Sequence, residues 1–284
     1  MTDAKGIPGF DERFAEAKAC RVRYYLGGPD SADALVLVHG LGGAASNWIE
    51  LAPALARRHR VLVPELPGHG GSSPLPAVPN LDVIADRIAI VAEREAVFPA
   101  VVVGHSLGGA IALRLAILRP EGVSGVVLAG SAGISSATRR ANFALRVLAL
   151  VRPGRYLAPH RSRIARSPLL RQLAFGRWGA ADPQMLSDEA VKGLLAGPQL
   201  HTDTASTARA LVLHDPRQDL ERVRCPCLIL WGARDSQLPL EDAFDYARRL
   251  RAPLRVIADC AHLLIAERPD VCLEAIETFV SGVG

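Results

Sequence analysis

Gly104-His105-Ser106-Leu107-Gly108 sets a serine between two glycines, directly after the apolar run Val101-Val102-Val103 and directly before an Ala/Leu-rich stretch. A serine on a sharp turn between a buried strand and a helix is held in a strained backbone conformation. Side chains at 104 and 108 would collide with neighbouring backbone there, so the turn needs its glycines. The turn lifts the Ser106 hydroxyl to the top of a sheet and places a helix N-terminus beneath it, where backbone N–H groups face a developing anion. The chemistry this suits is nucleophilic attack on an acyl carbon.

A nucleophilic serine needs a base, and the base needs an orienting acid. Of eight histidines, His262 follows the last predicted strand in Asp259-Cys260-Ala261-His262, on a loop at the carboxyl end of a parallel strand, where sites of open α/β sheets gather. His59 falls at a helix end among arginines and is expected to face solvent; His39 and His105 adjoin glycines at strand ends and are expected to make structural hydrogen bonds. For the acid, Asp235 ends Trp231-Gly232-Ala233-Arg234-Asp235 after the preceding strand. The other place for it, after the strand that follows the elbow helix, reads Gly130-Ser131-Ala132-Gly133, and no carboxylate follows before Asp182. Asp219 is next in line should Asp235 fail. The chain order Ser106, Asp235, His262 is a known order for such triads. Two donors are expected for an oxyanion: the Leu107 N–H and one from His39-Gly40-Leu41-Gly42-Gly43, with Leu41 first and Gly42 close behind. No phosphate-binding glycine pattern completes that loop.

These residues require a scaffold of alternating strands and helices. Strands are expected at Ala34 to His39, from Val61, at 101–103, at Val123 to Ala129, at Cys227 to Trp231 and at Leu254 to Ile257. Helices are expected at Asn47 to Arg58, Leu81 to Ala96, Leu107 to Leu118, Leu240 to Arg251 and Pro269 to Val280. Such alternation implies an α/β fold, a mostly parallel sheet with helices on both faces. From Ile134 to about Arg209 the alternation fails: helical patches are broken by five prolines and no strand-like run intervenes. A core of residues 1–133 and 210–284, with a helical insertion at 134–209, is therefore expected.

Composition narrows the function classes. The chain has 284 residues, 22% charged and 49% hydrophobic, enough for a sizeable core; with only 5% aromatics that core must be mostly aliphatic. No continuous apolar stretch suits a membrane span, and the first 16 residues lack the apolar region of a secretory signal, so a cytoplasmic location is expected. Five cysteines match neither a disulfide framework nor a zinc pattern, and no metal is expected. The net charge of +4 hides an asymmetry: ten arginines and no acidic residue lie between Glu121 and Asp182, so the remainder carries −6. No nucleic-acid reading motif accompanies them, and no nucleic-acid partner is expected.

His39-Gly40-Leu41-Gly42-Gly43 with Trp48, Leu66-Pro67-Gly68-His69-Gly70 with Ser72, Gly104-His105-Ser106-Leu107-Gly108-Gly109, Trp231-Gly232-Ala233-Arg234-Asp235, and Ala261-His262 with Glu267 and Pro269 together resemble the α/β-hydrolase superfamily, from about residue 20 to 282 outside the insertion. Glu65 stands where an Asp is usual and Ala261 where a Gly is usual. The resemblance implies an α/β-hydrolase fold, a helical cap at the insertion, and neither metal nor organic cofactor. It leaves the substrate open; the residues read as a serine hydrolase of carboxylic esters acting on a small-molecule substrate, with Ser106, Asp235 and His262 catalytic, Leu41 and Leu107 donating to the oxyanion, and Phe143 and Trp178 among the cap aromatics expected to line the acyl pocket. A carbon–carbon bond hydrolase of ring-fission products, with the same triad, is the alternative; a non-catalytic ligand receptor on the same fold is a further one. Fold alone does not choose between them.

Overall fold

The computed structural model describes residues 6–76, 80–134, 156–176 and 179–283. Eight strands form one sheet: β1 (Asp11–Glu16), β2 (Arg21–Gly27), β3 (Ala34–Val38), β4 (Arg60–Pro64), β5 (Ala100–His105), β6 (Val123–Ala129), β7 (Cys227–Gly232) and β8 (Leu254–Ile257). Their spatial order is β1-β2-β4-β3-β5-β6-β7-β8. β1 pairs with β2, and β2 with β4, antiparallel; every other pairing is parallel. The six parallel strands lie where the apolar runs predict them. The β1–β2 hairpin was not foreseen, because β1 is charged and five of its six residues are exposed.

Strand alternation divides the core between the two faces of the sheet. Val36, Val38, Val102, Val126, Leu128, Ile229 and Trp231 pack on one face against helices including α2 (Leu81–Arg94) and α3 (Leu107–Leu118), which follow the short α1 (Ala52–Leu55). Leu35, Leu37, Val101, Val103, Val127 and Leu230 pack on the other with Trp48, Leu51, Leu55 and Ile276. All six residues of β5 are buried, as expected of a strand covered on both faces. The helix expected over Asn47 to Arg58 is a correction: the chain there makes a short 3-10 turn, Ala45–Trp48, and then the single turn of α1. Pro53 explains the break, since it lacks an N–H and is tolerated only in the first turn of a helix.

Between β6 and β7 the described residues hold only helices: α4 (Arg161–Arg166), α5 (Pro168–Phe175), α6 (Asp188–Ala196) and α7 (Thr204–Val212), besides short 3-10 turns. α7 runs across residue 209. Ser167, Ser187 and Asp203 cap α5, α6 and α7, each accepting from the backbone N–H three residues on. Ile164, Ala165, Phe175, Leu186, Val191 and Leu195 form a small separate core with Ala266. Of the arginines in this acid-free stretch, Arg171 donates to the carbonyls of Ala165 and Leu186 and pairs with Asp188. α8 (Leu240–Leu250), α9 (Leu264–Glu267) and α10 (Pro269–Val283) complete the fold.

Parallel register brings the carboxyl ends of β3, β5 and β6 side by side: Val38 pairs with Gly104, and His105 with Ala129. β7 and β8 continue the row, with Gly232 opposite Ile257. The loops after β3, β5, β7 and β8 therefore leave one edge of the sheet together. The aliphatic packing that fixes this register should dominate stability. Leu37→Ala, at a fully buried position, should lower the urea-derived unfolding free energy by about 2–5 kcal/mol. Leu173→Ala, at a position 70% exposed, should change it by under about 0.5 kcal/mol. Equal effects of the two would contradict this packing.

Candidate active site

Ser106 sits between β5 and α3 with φ 54° and ψ −119°, outside the regions favoured by L-residues. Its surroundings hold it there: the Ser106 N–H donates to Ala129 O (3.1 Å), and Ser106 O accepts from the N–H groups of Gly109 (2.9 Å) and Ala132 (3.0 Å). The flanking glycines are required by close approach. A Cβ on Gly104 would strike the backbone of Gly108 and Gly109, and one on Gly108 would strike Val38 O.

His262 Nε2 lies 3.1 Å from Ser106 Oγ, and His262 Nδ1 lies 2.8 Å from Asp235 Oδ2. Asp235 Oδ1 accepts from the N–H groups of Gln237 (2.8 Å) and Leu238 (2.9 Å). Burial alone would raise the Asp235 carboxyl; the hydrogen bond and charge of His262, with those two backbone donors, hold it below the ordinary aspartate value. An ionised carboxylate at Nδ1 fixes the tautomer that leaves Nε2 bare toward the serine hydroxyl. Asp219, the reserve acid, is engaged elsewhere, with Arg114 (2.6 Å) and Arg222 (2.9 Å).

The candidate oxyanion side is built by a turn. Gly43 N–H donates to Gly40 O (3.1 Å), and Gly42 has φ +70°, the third-position geometry that favours glycine. Leu66 N–H donates to His39 Nε2 (3.0 Å), so the proton of His39 is on Nδ1, which donates to Gly40 O (2.8 Å). A trans peptide sends C=O and N–H to opposite sides, so holding Gly40 O fixes the direction of the Leu41 N–H. Neither the Leu41 nor the Leu107 N–H has an acceptor among the described residues.

Two further side chains, His105 and Glu267, position the histidine loop, and a third, Glu65, holds the loops after β3 and β4. His105 Nε2 donates to His262 O (2.8 Å). Buried Glu267 accepts from Ala261 N–H (3.0 Å) and from Asp182 N–H (2.9 Å), tying that loop to the helical segment; Leu263 N–H donates to Gly179 O (2.9 Å) beside them. Glu65, at the position where Asp is usual, accepts from Arg23 Nε (2.7 Å) and Nη2 (2.9 Å), Gly71 N–H (2.6 Å) and Ala45 N–H (3.3 Å), joining β2 to the loops after β3 and β4. His105 makes a structural hydrogen bond, as its place beside a glycine at a strand end leads one to expect, but its partner and those of Glu267 and Glu65 are not readable from sequence. His59, expected to face solvent, is instead buried with its Nε2 3.1 Å from Glu277, because α10 folds over it. Phe143 and Trp178 lie outside the described residues. Of the other two cap aromatics, Phe175 belongs to the small helical core and Tyr156 is exposed.

Burial lowers His39 to about 4 and His105 to about 3, and places His69 well below 6.5. Unfolded, each titrates near 6.5. Below that value the unfolded chain binds protons that the folded chain does not. Stability is therefore full above pH 6.5 and is lost as the pH falls toward about 4. From pH 6 to pH 5 the unfolding free energy should drop by at least about 1.4 kcal/mol, one proton's worth, in urea titrations. A value constant across that interval would contradict the neutral, buried histidines.

A family model described as the alpha/beta hydrolase family matches residues 35–275. Over 262 residues the chain is 30% identical to the dihydrolipoyllysine-residue acetyltransferase component of the acetoin cleaving system of Pseudomonas putida, covering 89% of this chain and 65% of that protein's length. It is 32% identical over 267 residues to the pimeloyl-[acyl-carrier protein] methyl ester esterase of Aromatoleum aromaticum, covering 87% of this chain and 98% of the esterase. Over a shorter stretch of 124 residues, 42% of this chain and 44% of the relative, it is 40% identical to the 2-hydroxymuconate semialdehyde hydrolase of Pseudomonas sp. strain CF600. Among solved structures, E-2-(acetamidomethylene)succinate hydrolase superposes with a TM-score of 0.78 at 22% identity, over 96% of this chain and 99% of its own, a likeness of fold. With its eight-stranded, mostly parallel sheet and this match across most of its length, the chain belongs to the alpha/beta hydrolase family.

Proposed function

We propose that the protein is a serine hydrolase of carboxylic esters, with Ser106 as nucleophile, His262 as base and Asp235 as the acid that orients it. The observation that carries this reading is the unbroken chain from Ser106 Oγ through His262 to Asp235, at 3.1 and 2.8 Å, on a strained elbow beside two N–H groups with no protein acceptor among the described residues. Ser106 Oγ attacks the acyl carbon as its proton passes to His262 Nε2. Asp235 stabilises the imidazolium through Nδ1–H, and the N–H groups of Leu41 and Leu107 donate to the tetrahedral oxyanion. His262 returns the proton to the leaving alcohol, leaving an acyl-enzyme. It then deprotonates water for deacylation, and Ser106 is regenerated. Residues 1–133 and 210–284 would act as the catalytic core. Residues 134–209 would act as a cap, a role supported by their hydrogen bonds to the His262 loop.

The whole-length likeness to a methyl ester esterase favours an ester substrate. The shorter likeness to a semialdehyde hydrolase keeps carbon–carbon cleavage as the second reading, through the same three residues. Turnover of p-nitrophenyl esters from acetate to palmitate, measured beside a ring-fission dienoate, separates them: the ester reading expects kcat/KM for at least one ester to exceed that for the dienoate, and the reverse order favours the second reading.

Ser106→Ala should leave less than about a hundredth of the wild-type rate with the fold retained; more activity than that would remove Ser106 as nucleophile. Asp235→Asn should cost roughly 10³–10⁴ in kcat, because an amide at this place favours the wrong imidazole tautomer. An Asp235→Asn enzyme of near-normal kcat would mean that the orienting acid lies elsewhere.

A further inference from the structure

Two carbonyls of the turn that carries Leu41, those of Gly40 and Gly42, are each held by a histidine. Gly40 O is held by His39, from the end of β3. Gly42 O is held by His201, whose Nε2 lies 2.8 Å away. His201 belongs to the helical segment between β6 and β7, some 160 residues further along the chain. Its other ring nitrogen, Nδ1, accepts from Gly70 N–H at 2.9 Å. Because Nδ1 faces a backbone donor, the ring proton is on Nε2, so His201 is a donor to Gly42 O. His69 lies between the two turn-holding rings, 5.4 Å from His39 and 5.2 Å from His201.

The peptide planes connect this contact to the oxyanion donor. Phe98–Pro99 is the one cis bond among the described residues, so the turn is trans throughout. Fixing Gly42 O by His201 fixes the opposite end of the same peptide, the Gly43 N–H, which donates to Gly40 O. Gly40 O in turn belongs to the peptide whose opposite end is the Leu41 N–H. Two rigid planes thus lead from the His201 ring to the candidate oxyanion donor. Gly42, at φ +70°, has no side chain of its own to add to the Gly43–Gly40 bond, so His201 is a second restraint, from outside the turn. The rest of the segment is registered on the same loops: Thr202 and Asp203 N–H donate to Gly68 O at 3.0 and 3.1 Å, and Ser46 Oγ donates to Gly193 O at 2.7 Å.

We propose that His201 is a positioning residue for the oxyanion hole: through Gly42 O it holds the turn in the conformation that aims the Leu41 N–H at the acyl oxygen, so that seating of the helical segment completes the site. This rests on the serine-hydrolase reading above. His201 does not touch the reacting atoms, and its loss should appear in transition-state stabilisation while ground-state binding is kept.

Two near-isosteric substitutions separate its two hydrogen bonds. In His201→Asn the amide oxygen takes the place of Nδ1 and can still accept from Gly70, but nothing reaches Gly42 O. In His201→Gln the amide nitrogen takes the place of Nε2 and can still donate to Gly42 O, but the Gly70 bond is lost. Ser46→Ala removes a tether of the same segment without touching either turn carbonyl. Three quantities are measured for each: kcat and KM on the best p-nitrophenyl ester, Ki for an aryl trifluoromethyl ketone, which forms a tetrahedral oxyanion on the serine, and Tm.

His201→Asn should lower kcat by about tenfold or more with KM within about twofold, and raise Ki for the ketone in step. His201→Gln and Ser46→Ala should keep kcat and Ki within about threefold of wild type, whatever their Tm. Wild-type kcat and Ki in His201→Asn would overturn the proposal. So would a tenfold kcat loss in His201→Gln or in Ser46→Ala, since that would make His201 one tether among several; this arm decides the matter even if His201→Asn does not fold. If Ser106→Ala abolishes turnover while His201→Asn does not impair it, the proposal fails alone. If Ser106→Ala remains active, the serine reading fails and takes the proposal with it.

Discussion

The chain reverses direction at Ser106 in a conformation that only a tight enclosure can maintain. A non-glycine residue at positive φ with ψ near −119° costs of order 1–3 kcal/mol, and the result is a half-buried hydroxyl at the rim of a buried sheet. Much else follows from keeping it there. Gly104 and Gly108 remove the side chains that would block the reversal, Ala129 and Ala132 hold its backbone, and β3 and β6 flank β5 closely enough that their own loops reach the serine. The extended aliphatic packing on both faces of the sheet supplies the rigidity against which this local strain is held.

Histidine has two distinct uses in this site. His262 needs one bare ring nitrogen and a carboxylate at the other. His39 and His105 serve as neutral, directional struts: each sends one N–H to a backbone carbonyl, and burial keeps both uncharged well below neutral pH. Imidazole suits this task because, once one nitrogen accepts, the other must donate. His39, between Leu66 N–H and Gly40 O, therefore fixes the orientation of both backbone groups as well as their separation. His105 also couples the elbow to the His262 loop, so Ser106 and His262 are held by this contact in addition to their own hydrogen bond.

The sequence carried the parallel strands and the three residues of the candidate triad, because both leave local marks. Apolar runs such as 101–103 identify buried strands, and glycines at 104 and 108 mark a turn that no larger residue can make. The β1–β2 hairpin was less legible: β1 exposes nearly all its side chains, although Arg21-Val22-Arg23-Tyr24 does alternate as an edge-proximal strand should. The helix expected over 47–58 is broken at Pro53, because the helical spacing of its apolar residues cannot replace the N–H that proline lacks. Least legible were the partners of Glu65, Glu267 and His105, which lie on loops distant in sequence or are backbone atoms that carry no residue identity. Such contacts arise only once the sheet has brought the loops together.

The proposed function makes Ser106 the activated nucleophile. Incubation with a fluorophosphonate, followed by proteolysis and mass spectrometry, tests it most directly. A single covalent adduct on the peptide containing Ser106, formed in step with loss of ester hydrolysis and absent from the unfolded protein, is the predicted result. An adduct on another residue, or full ester hydrolysis with Ser106 unlabelled, would contradict it.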